Sequence, residues 1–420
     1  MAAILIPSRI KQQEVNPADV KASQIRACYQ PILDLESLDI QGYEVLGRVE
    51  IGGQLQTLGP IFHNGSQDKL HIAQLISIDN AIQEMAIANL KESGKKTNLF
   101  INIMPNLLSR QHSNMEIRAD RFHIINMVHK YDLDPEQIVI EITEDQFEGD
   151  ITRLIQIVAM YKKSGFRIAV DDVGAGMSDL SRIAYIHPDI IKVDLQLLRN
   201  SMNSKSFRQV LQGVAFMAHR LGASLLFEGI EKEEELLVSL KMGGRFLQGF
   251  YFSPAEESFQ DRTRFRSLLE EKLSDFSILR KAELMHSFQI RDALIGQAHN
   301  ATQEINPADL ETINSTILSC LHKLPENTRR MVLYDRSGYQ ISATFERDDQ
   351  DSWIRESAEI GSNRFWDPMF LQTLAMKEYS GKPWNVSEPY YDFNKDTPYI
   401  NVALVKGDDA VLLLQMVWDI

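Results

Sequence analysis

Short apolar runs alternate with longer segments of mixed polarity through more than half of the chain. The short runs are rich in Ile, Val, Leu and Phe and stop at Asp, Gly or Pro, which is typical of buried β-strands. In the longer segments apolar residues recur at helical spacing, so each segment predicts an amphipathic helix. The predicted strands cover residues 29–35, 42–49, 99–104, 138–143, 167–172, 190–194, 225–230 and 246–253. The predicted helices cover residues 67–92, 120–131, 151–163, 178–185, 206–221 and 231–240.

The order of these elements predicts the fold class. Only residues 36–41 separate the first two strands, a stretch too short for a crossover helix, so these strands should pair in antiparallel fashion. The later strands are separated by helices, and strands that alternate with helices form parallel sheets. The pattern therefore predicts an α/β fold, a modified TIM (β/α)8 barrel with one antiparallel strand.

The chain changes character after the last predicted barrel strand. Residues 256–301 are highly charged and predict one long helix with a single apolar face, formed by Leu268, Leu269, Leu273, Phe276 and Leu279. We interpret this helix as a solvated linker, with a coiled-coil dimer seam as the alternative. Beyond it we expect a helix to residue 321, a hairpin turn at 335–338, an irregular segment through 364–370 and further strands. The predicted domains are a barrel (1–255), a helical linker (256–306) and a separate α+β domain (307–420).

Composition restricts the partners and the compartment of the protein. The 420 residues carry a formal charge of -14, whereas general nucleic-acid or anionic-membrane binding requires basic surface. Bound cations would still allow a small phosphorylated substrate. No apolar run approaches the ~20 residues of a membrane span, and the apolar start of the chain is too short for a signal peptide. We therefore expect a cytoplasmic protein without a membrane span, in which Cys28 and Cys320 are reduced core thiols.

Polar side chains interrupt the predicted strands at or near their carboxyl ends. These residues are Asn102, Glu141, Asp171, Asp172, Lys192, Glu228 and Gln248. In barrels of this type the carboxyl ends of the strands build the active site, so these side chains should converge there. An Asp-Asp pair taken alone is more often a helix N-cap or an Asx turn. Several acids together require cations between them, because two carboxylates ~4 Å apart repel by ~4 kcal/mol at an effective dielectric constant of ~20.

The ordered motifs resemble those of the EAL domain family of cyclic di-GMP phosphodiesterases over about residues 29–254. The Glu-Ala-Leu signature occurs as Glu44-Val45-Leu46 within EVLGR, and the later motifs read FINIMP, EITE, DDVGAG, IKVD, EGIE and QGFYFSP. The resemblance implies hydrolysis of one phosphodiester of cyclic di-GMP to linear pGpG, with two Mg²⁺ or Mn²⁺ ions. Oxygen ligands suit these ions, whereas zinc prefers His or Cys. Two such ions ~4 Å apart can stabilise both the attacking and the leaving oxygen.

The resemblance also implies two adjoining metal sites. The ligands of the first ion would be Glu44, Asn102, Glu141 and Asp171. Asp171 would bridge to a second ion, whose other ligands would be Asp172 and Glu228. The negative charges of the five acids would then be balanced by two divalent ions and Lys192.

Further roles follow from the same resemblance. Lys192 would orient and help to deprotonate the attacking water, and Gln248 would hold its hydration shell. Glu144 would secure the loop after Asp172, and Arg48 would bind a substrate phosphate through its guanidinium group. The residues that would line the nucleotide site are Gln30, Leu46 and Pro254, although each could equally be an ordinary strand or turn residue.

The glycine-rich loop departs from the usual pattern of the family. Val173, Ala175, Met177 and Asp179 stand where Phe, Thr, Tyr and Ser are usual, and Met104 stands where Ser is typical. None of them replaces a proposed ligand, but together they could loosen the loop. A catalytically weak or silent cyclic di-GMP receptor that signals to a partner is therefore the alternative hypothesis. A barrel that acts on another phosphodiester is the third.

The last domain resembles PAS-like or Cache-type sensory domains through VLYDRSGYQIS, RFWDPMF and VSEPYYDF. The whole layout is similar to that of Bacillus-type EAL proteins with such a C-terminal domain. This implies a sensory domain that regulates the barrel and binds a small-molecule ligand. The aromatic residues that could line its pocket, or simply form its core, are Trp366, Trp384, Tyr390 and Tyr391. Because barrels of this family often dimerise, the resemblance also implies a homodimer.

Overall fold

A computed structural model describes residues 20–59, 69–104, 117–143, 151–174, 180–348, 350–391 and 397–418. The chain divides into two compact units, Met1–Phe276 and Ser277–Ile420. None of the helices described is both long enough and apolar enough to cross a membrane.

Eight strands of the first unit close into a barrel, and a short ninth strand extends its edge. The strands are β1 (Ile25–Asp34), β2 (Asp39–Ile51), β3 (Gln54–Thr57), β4 (Asn98–Ile103), β5 (Ile138–Thr143), β6 (Arg167–Val173), β7 (Ile190–Val193), β8 (Ser224–Phe227) and β9 (Phe246–Leu247). β1 is antiparallel to both β2 and β9. The other neighbours around the barrel, from β2 with β4 to β8 with β9, are parallel. The predicted TIM-type barrel with one antiparallel strand is confirmed.

Helices pack around the barrel in the first unit. They are α1 (Lys69–Ser93), α2 (His123–Lys130), α3 (Ile151–Lys163), α4 (Leu180–Ile186), α5 (Leu195–Asn203), α6 (Lys205–Leu221) and α7 (Glu233–Lys241). On α3, Leu154, Ile157, Val158 and Tyr161 are buried at helical spacing. An amphipathic helix of this kind is stabilised mainly by packing its apolar stripe against the strands.

One layer of apolar side chains fills the barrel interior. Its members are Ile32, Phe100, Val139, Ala169, Ile190, Leu226 and Phe246. Except in the antiparallel first strand, each member lies two residues before one of the polar residues identified at the strand ends. Because side chains alternate between the two faces of a strand, those polar residues also point into the barrel, one layer nearer its carboxyl end.

The barrel differs from the predicted elements in three places. β3 and α5 were not predicted, and the strand expected over residues 246–253 ends at Leu247. The reason for the early end is a close approach between backbones, because a Cβ atom on Gly249 would lie 2.1 Å from the carbonyl oxygen of Ile230. The chain after Leu247 instead bonds to the loop after β8, where the Ile230 N–H donates to the Gln248 carbonyl at 3.0 Å.

The second unit contains an antiparallel sheet. Its strands are β10 (Thr328–Tyr334), β11 (Thr344–Arg347), β12 (Trp353–Glu356), β13 (Trp384–Val386), β14 (Tyr390–Tyr391), β15 (Pro398–Lys406) and β16 (Ala410–Val417). They are ordered β12-β11-β10-β16-β15-β13, and β14 also pairs with β15. The helices are the end of α8 (Arg266–Ala301), α9 (Ile313–Cys320) and α10 (Pro368–Ser380). A C-terminal domain with a sheet and helices is therefore present, while its PAS-like character stays a prediction.

Two expectations for this half of the chain need correction. The helix expected from residue 256 begins at Arg266, because Glu256 instead forms two backbone hydrogen bonds with Tyr29 of β1. The segment expected to be irregular contains α10, which starts where the Asp367 carboxylate accepts a hydrogen bond from the Met369 N–H. The turn at 335–338 is present, and the Asp335 carboxylate accepts from the N–H groups of Ser337 and Tyr339. Cys28 and Cys320 are free thiols in buried positions.

Candidate active site

Strand register aligns the first candidate ligands. Glu44 on β2 is paired with Gln30 on β1, and Asn102 on β4 is paired with Glu141 on β5. Asp171 on β6 is paired with Thr143 on β5. Paired residues on neighbouring strands present their side chains to the same face of a sheet. Register alone therefore brings Glu44, Asn102 and Glu141 toward one end of the barrel.

Asp171 and Asp172 reach the site through an irregularity in β6. Consecutive strand residues point to opposite faces, so two adjacent aspartates in a regular strand could not share one site. Here the pairing of β6 with β7 shifts register between Val170 and Val173, and Asp172 adopts a left-handed φ of 58°. The Asp172 N–H donates to Asp171 Oδ1 at 3.0 Å. The bulge turns both carboxylates toward the same acid cluster, and Asp is among the residues that tolerate this backbone conformation.

Lys192 is a fully buried ammonium group surrounded by acids. Its Nζ atom lies 2.9 Å from Glu141 Oε1 and 2.9 Å from Asp171 Oδ1. Glu228 Oε2 is 3.1 Å away and Glu44 Oε1 is 3.9 Å away. One lysine therefore faces four carboxylates, and Asp172 adds a fifth acid beside them. When all five acids are ionised, their negative charge exceeds the single positive charge of Lys192.

The acids form two groups that could each hold a cation. In each group the carboxylate oxygens all lie within 4.8 Å of one another, and the groups are Glu44 with Glu141 and Asp171, and Asp171 with Asp172 and Glu228. Asp171 belongs to both groups. Glu141 Oε1 faces Lys192 Nζ, whereas Glu141 Oε2 is buried without a hydrogen-bond donor among the described residues. A buried carboxylate in this state fits a metal-binding role, because a divalent cation would satisfy the oxygen that these residues leave unpaired.

Two amides orient Glu44. Asn102 Nδ2 donates to Glu44 Oε1 at 3.1 Å, and Gln248 Nε2 donates to Glu44 Oε2 at 2.6 Å. Gln248 Nε2 also donates to Gln30 Oε1 at 3.1 Å, and Gln30 Nε2 donates to the Ser253 carbonyl at 3.2 Å. Pro254 follows Ser253 and is exposed. These contacts connect β1, β2, β4 and the loop after β9 around one carboxylate.

Burial and crowding raise the proton affinity of the acids. Burial raises the pKa of Glu141 well above its ordinary value; the charge of Lys192 opposes this shift, and the charges of Glu44 and Asp171 add to it. Burial and the charge of Asp171 likewise raise the pKa of Glu228 well above its ordinary value, and they raise that of Asp172 to about 6. Burial alone would lower the pKa of Lys192, but the acids around it raise that pKa well above its ordinary value. The lysine is therefore held as a cation.

A cavity of about 260 Å³ opens beside the acids. Of the predicted substrate-binding residues, Leu46 and Arg48 line it, together with Glu44, Asn102, Asp171 and Asp172. Sequence reasoning missed two polar residues of α1 on the same wall, Asp79 and Gln83. Gln83 Nε2 donates to Asp79 Oδ2 at 2.8 Å. Their signal in the sequence was weak, since two polar residues four apart on a helix normally face solvent.

The backbone that directly follows β6, at Gly174, and the loop after β8, at Gly229, both pack on α5. A Cβ atom on Gly174, where φ is 100°, would lie 2.4 Å from Leu197 Cδ2, and one on Gly229 would lie 3.0 Å from Leu195. Arg199 on α5 donates to Glu235 at 2.6 Å and to Glu231 at 2.7 Å. Glu235 in turn accepts from the backbone N–H groups of Glu231 and Lys232. The loop after Glu228 is thus held from both its side chains and its backbone.

Some predicted residues cannot be placed in this site. Glu144 lies outside the described residues, as do Ala175, Met177 and Asp179 of the glycine-rich loop, whereas Val173 is buried. In the second unit, Trp366 is exposed, and Tyr390 donates its hydroxyl to Asn401 Oδ1 at 2.9 Å. Tyr391 pairs with Pro398 at the edge of β15, and Trp384 lies on β13.

The EAL domain family matches residues 12–255 of the chain. The uncharacterized EAL-domain containing protein YkuI of Bacillus subtilis is 29% identical over 365 residues, which cover 86% of this chain and 87% of YkuI. The crystal structure of YkuI with c-di-GMP and calcium matches this structure with a TM-score of 0.86 at 26% identity. The match covers 97% of this chain and 100% of the YkuI chain.

Two further relatives carry functional names. PdeA of Escherichia coli, a probable cyclic di-GMP phosphodiesterase, is 25% identical over 53% of this chain and 29% of PdeA. The cyclic di-GMP phosphodiesterase RocR of Pseudomonas aeruginosa is 26% identical over 55% of this chain and 57% of RocR. The chain therefore spans most of YkuI but less than two thirds of the length of PdeA or RocR.

Proposed function

The chain belongs to the EAL domain family, and on this premise we propose that it is a phosphodiesterase that hydrolyses one phosphodiester bond of cyclic di-GMP to release linear pGpG. The observation that carries the proposal is the pair of acid groups that share Asp171. Two cations held in this way could engage both the attacking and the leaving oxygen of one displacement. The names of relatives such as RocR support the choice of substrate.

Mg²⁺ or Mn²⁺ ions would occupy the two acid groups. The residues that would hold the first ion are Glu44, Asn102, Glu141 and Asp171. The residues that would hold the second are Asp171, Asp172 and Glu228. Oxygen donors without His or Cys favour these hard ions over zinc. When bound, the ions would activate water and stabilise negative charge on the phosphate oxygens.

Lys192 and Gln248 would orient the water around this site. The acids keep Lys192 protonated, so its ammonium group can donate hydrogen bonds to an attacking water but cannot accept a proton while it is charged. We therefore assign orientation to Lys192 in the resting site. Gln248, whose Oε1 is buried without a donor among the described residues, can accept a hydrogen bond from the same water shell.

The cavity residues would bind the nucleotide. The guanidinium group of Arg48 is suited to a phosphate oxygen pair. Leu46 would contact the base or the ribose, and Gln30 and Pro254 would add further contacts to the nucleotide. Asp79 would accept hydrogen bonds from the N–H donors of a guanine edge. The ionised carboxylate offers two acceptor oxygens for these donors, whereas the protonated acid has an O–H group at one of them.

The test is the release of pGpG by the purified full-length protein. Cyclic di-GMP is incubated with Mg²⁺, Mn²⁺ or EDTA and the products are separated by chromatography. Linear pGpG that forms with either ion and not in EDTA supports the enzyme. Tight binding of cyclic di-GMP by titration calorimetry, with no product under any condition, would favour the alternative of a silent receptor. The substitutions at Val173, Ala175, Met177 and Asp179 motivate that alternative.

Recognition by Asp79 predicts a pH-dependent KM. Burial raises the pKa of Asp79 to about 7, so the carboxylate that would accept from guanine is lost as the pH falls through this value. The KM for cyclic di-GMP should therefore rise from pH 8 to pH 6. In Asp79→Asn the KM should exceed that of the unaltered protein at pH 8 by ~10-fold or more, and it should be nearly independent of pH over this interval. Equal pH profiles in the two proteins would exclude the role.

The contact between α5 and the Glu228 loop predicts a defect in metal use. In Arg199→Met, Glu235 and Glu231 lose their cation, so the loop is held less firmly and the half-saturating Mg²⁺ or Mn²⁺ concentration should rise by ~10- to 100-fold. The KM for cyclic di-GMP should change little. Arg199→Lys should restore part of the metal affinity, and Arg220→Met on the exposed face of α6 is the control. An unchanged metal requirement in Arg199→Met would refute the assignment.

The second unit would regulate this activity. The resemblance of residues 329–420 to sensory domains supports this role, and the similarity to YkuI extends over both units. A homodimer in the cytoplasm is the state in which we propose that the protein acts.

A further inference from the structure

The second unit contains a cavity of about 420 Å³ between α8 and β13. The lining residues on α8 are Phe288, Arg291 and Asp292, and Lys382, Trp384 and Asn385 line the opposite wall. The volume falls within the range that small-molecule sites occupy in proteins. None of these residues takes part in the barrel chemistry proposed above.

Charged groups in this cavity have no ion-pair partner among the described residues. Arg291, Asp292 and Lys382 form no ion pair with any residue that the structure describes. The Nε atom of Arg291 is also buried, and it has no hydrogen-bond acceptor in the described part of the chain. Leaving a buried, charged N–H group unsatisfied is unfavourable, and a carboxylate is a strong acceptor for a guanidinium group, because both partners of the hydrogen bond are charged.

Aromatic rings hold the two cations in place. Lys382 Nζ lies 3.4 Å from the centroid of the Trp384 ring, and Arg291 Cζ lies 5.8 Å from that of the Trp418 ring. Cation–π contacts of this kind fix the direction of flexible side chains. Phe288 adds an apolar surface, since 55% of this residue is exposed. The cavity therefore combines two positioned cations with apolar walls.

We propose that this cavity binds a small organic carboxylate that carries an apolar group. Arg291 and Lys382 would bind the carboxylate, and Phe288 and Trp384 would contact the apolar group. Asp292 distinguishes two sources of this chemistry, because its charge would pair with the ammonium group of an amino acid and would repel a simple carboxylic acid. Binding here does not depend on hydrolysis in the barrel, so this inference stands or fails separately from the proposed function.

Tryptophan fluorescence can monitor this site directly. The four tryptophans of the chain, Trp353, Trp366, Trp384 and Trp418, all belong to the second unit. The full-length protein is titrated with L-leucine, L-phenylalanine, 4-methylpentanoate and 3-phenylpropionate, and binding is confirmed by calorimetry. The matched amides, 4-methylpentanamide and 3-phenylpropanamide, lack the charge. We expect at least one acid to bind with a Kd below ~1 mM and its amide to bind at least ~10-fold more weakly.

Variants identify the residues that bind the acid. Arg291→Met should weaken the best acid by at least ~10-fold, whereas Arg280→Met, on the same helix and paired with Glu283, should not. Lys382→Gln replaces Arg291→Met if circular dichroism shows that the latter is misfolded. Asp292→Asn should weaken the binding of an amino acid or strengthen the binding of a simple carboxylic acid, so its effect identifies which of the two is the ligand. No binding of any acid at ~10 mM, equal binding of acid and amide, or equal effects of the two arginine variants would overturn the proposal.

Discussion

Replacing Asp171 by Asn is expected to abolish hydrolysis of cyclic di-GMP, lowering kcat by at least ~1000-fold. Asp171 is the one carboxylate that belongs to both acid groups, so the neutral amide would weaken both proposed metal sites at once. Removing one metal-borne stabilisation of several kcal/mol is enough for a loss of this size, since each ~1.4 kcal/mol changes the rate tenfold. The fold should persist, because Asn has nearly the same shape and removes one of several repelling charges.

Two measurements check this expectation. Release of pGpG gives kcat, and calorimetric titration with Mn²⁺ gives the metal affinity. Both kcat and the metal affinity should fall in Asp171→Asn. Asp132→Asn is the matched control, because Asp132 is an exposed residue of the barrel unit with a φ of 49°, a conformation that Asn also tolerates. Turnover within ~10-fold of the unaltered protein in Asp171→Asn would refute the shared metal site.

Replacing Lys192 by Met is expected to destabilise the metal-free barrel by ~3–5 kcal/mol. The ammonium group is buried and lies within 4 Å of four carboxylates, so its loss leaves four largely buried carboxylates without their cation. Mg²⁺ or Mn²⁺ should restore much of the free energy of unfolding, because the ions would supply the missing positive charge. Turnover should still be lost, since the water would no longer be oriented.

Urea unfolding in EDTA and in excess Mn²⁺ measures both effects. Far-UV circular dichroism follows both units, whereas the tryptophans report only the second unit and serve as an internal control. In Lys192→Met the unfolding transition of the barrel should shift to lower urea concentration, and the transition followed by tryptophan fluorescence should not shift. Lys96→Met, at an exposed position of the barrel unit, should behave like the unaltered protein. Equal stability of Lys192→Met and the unaltered protein in EDTA would show that the acids do not depend on this lysine.

The sequence of the second unit contains a signal for the start of α10. Asp367 followed by Pro368 is a common helix start, because the carboxylate accepts from a free N–H group and Pro tolerates the first helical position. The aromatic residues on either side, Phe365, Trp366 and Phe370, obscured this signal. By contrast, the cavity beside Arg291 joins α8 to a strand about ninety residues later, and no local pattern indicates that contact.

By itself, the sequence determined the barrel, the antiparallel start and the candidate ligands at the strand ends. It could do so because alternation along a strand is a local property, and Phe100 and Asn102, or Ala169 and Asp171, follow it directly. Only the tertiary structure decided that a bulge brings Asp172 beside Asp171, that Lys192 faces four acids, that Asp79 lines the cavity and that Arg199 binds Glu231 and Glu235. These contacts depend on barrel closure and on loop backbone conformation, which join residues distant in the chain and leave no periodic signal in it.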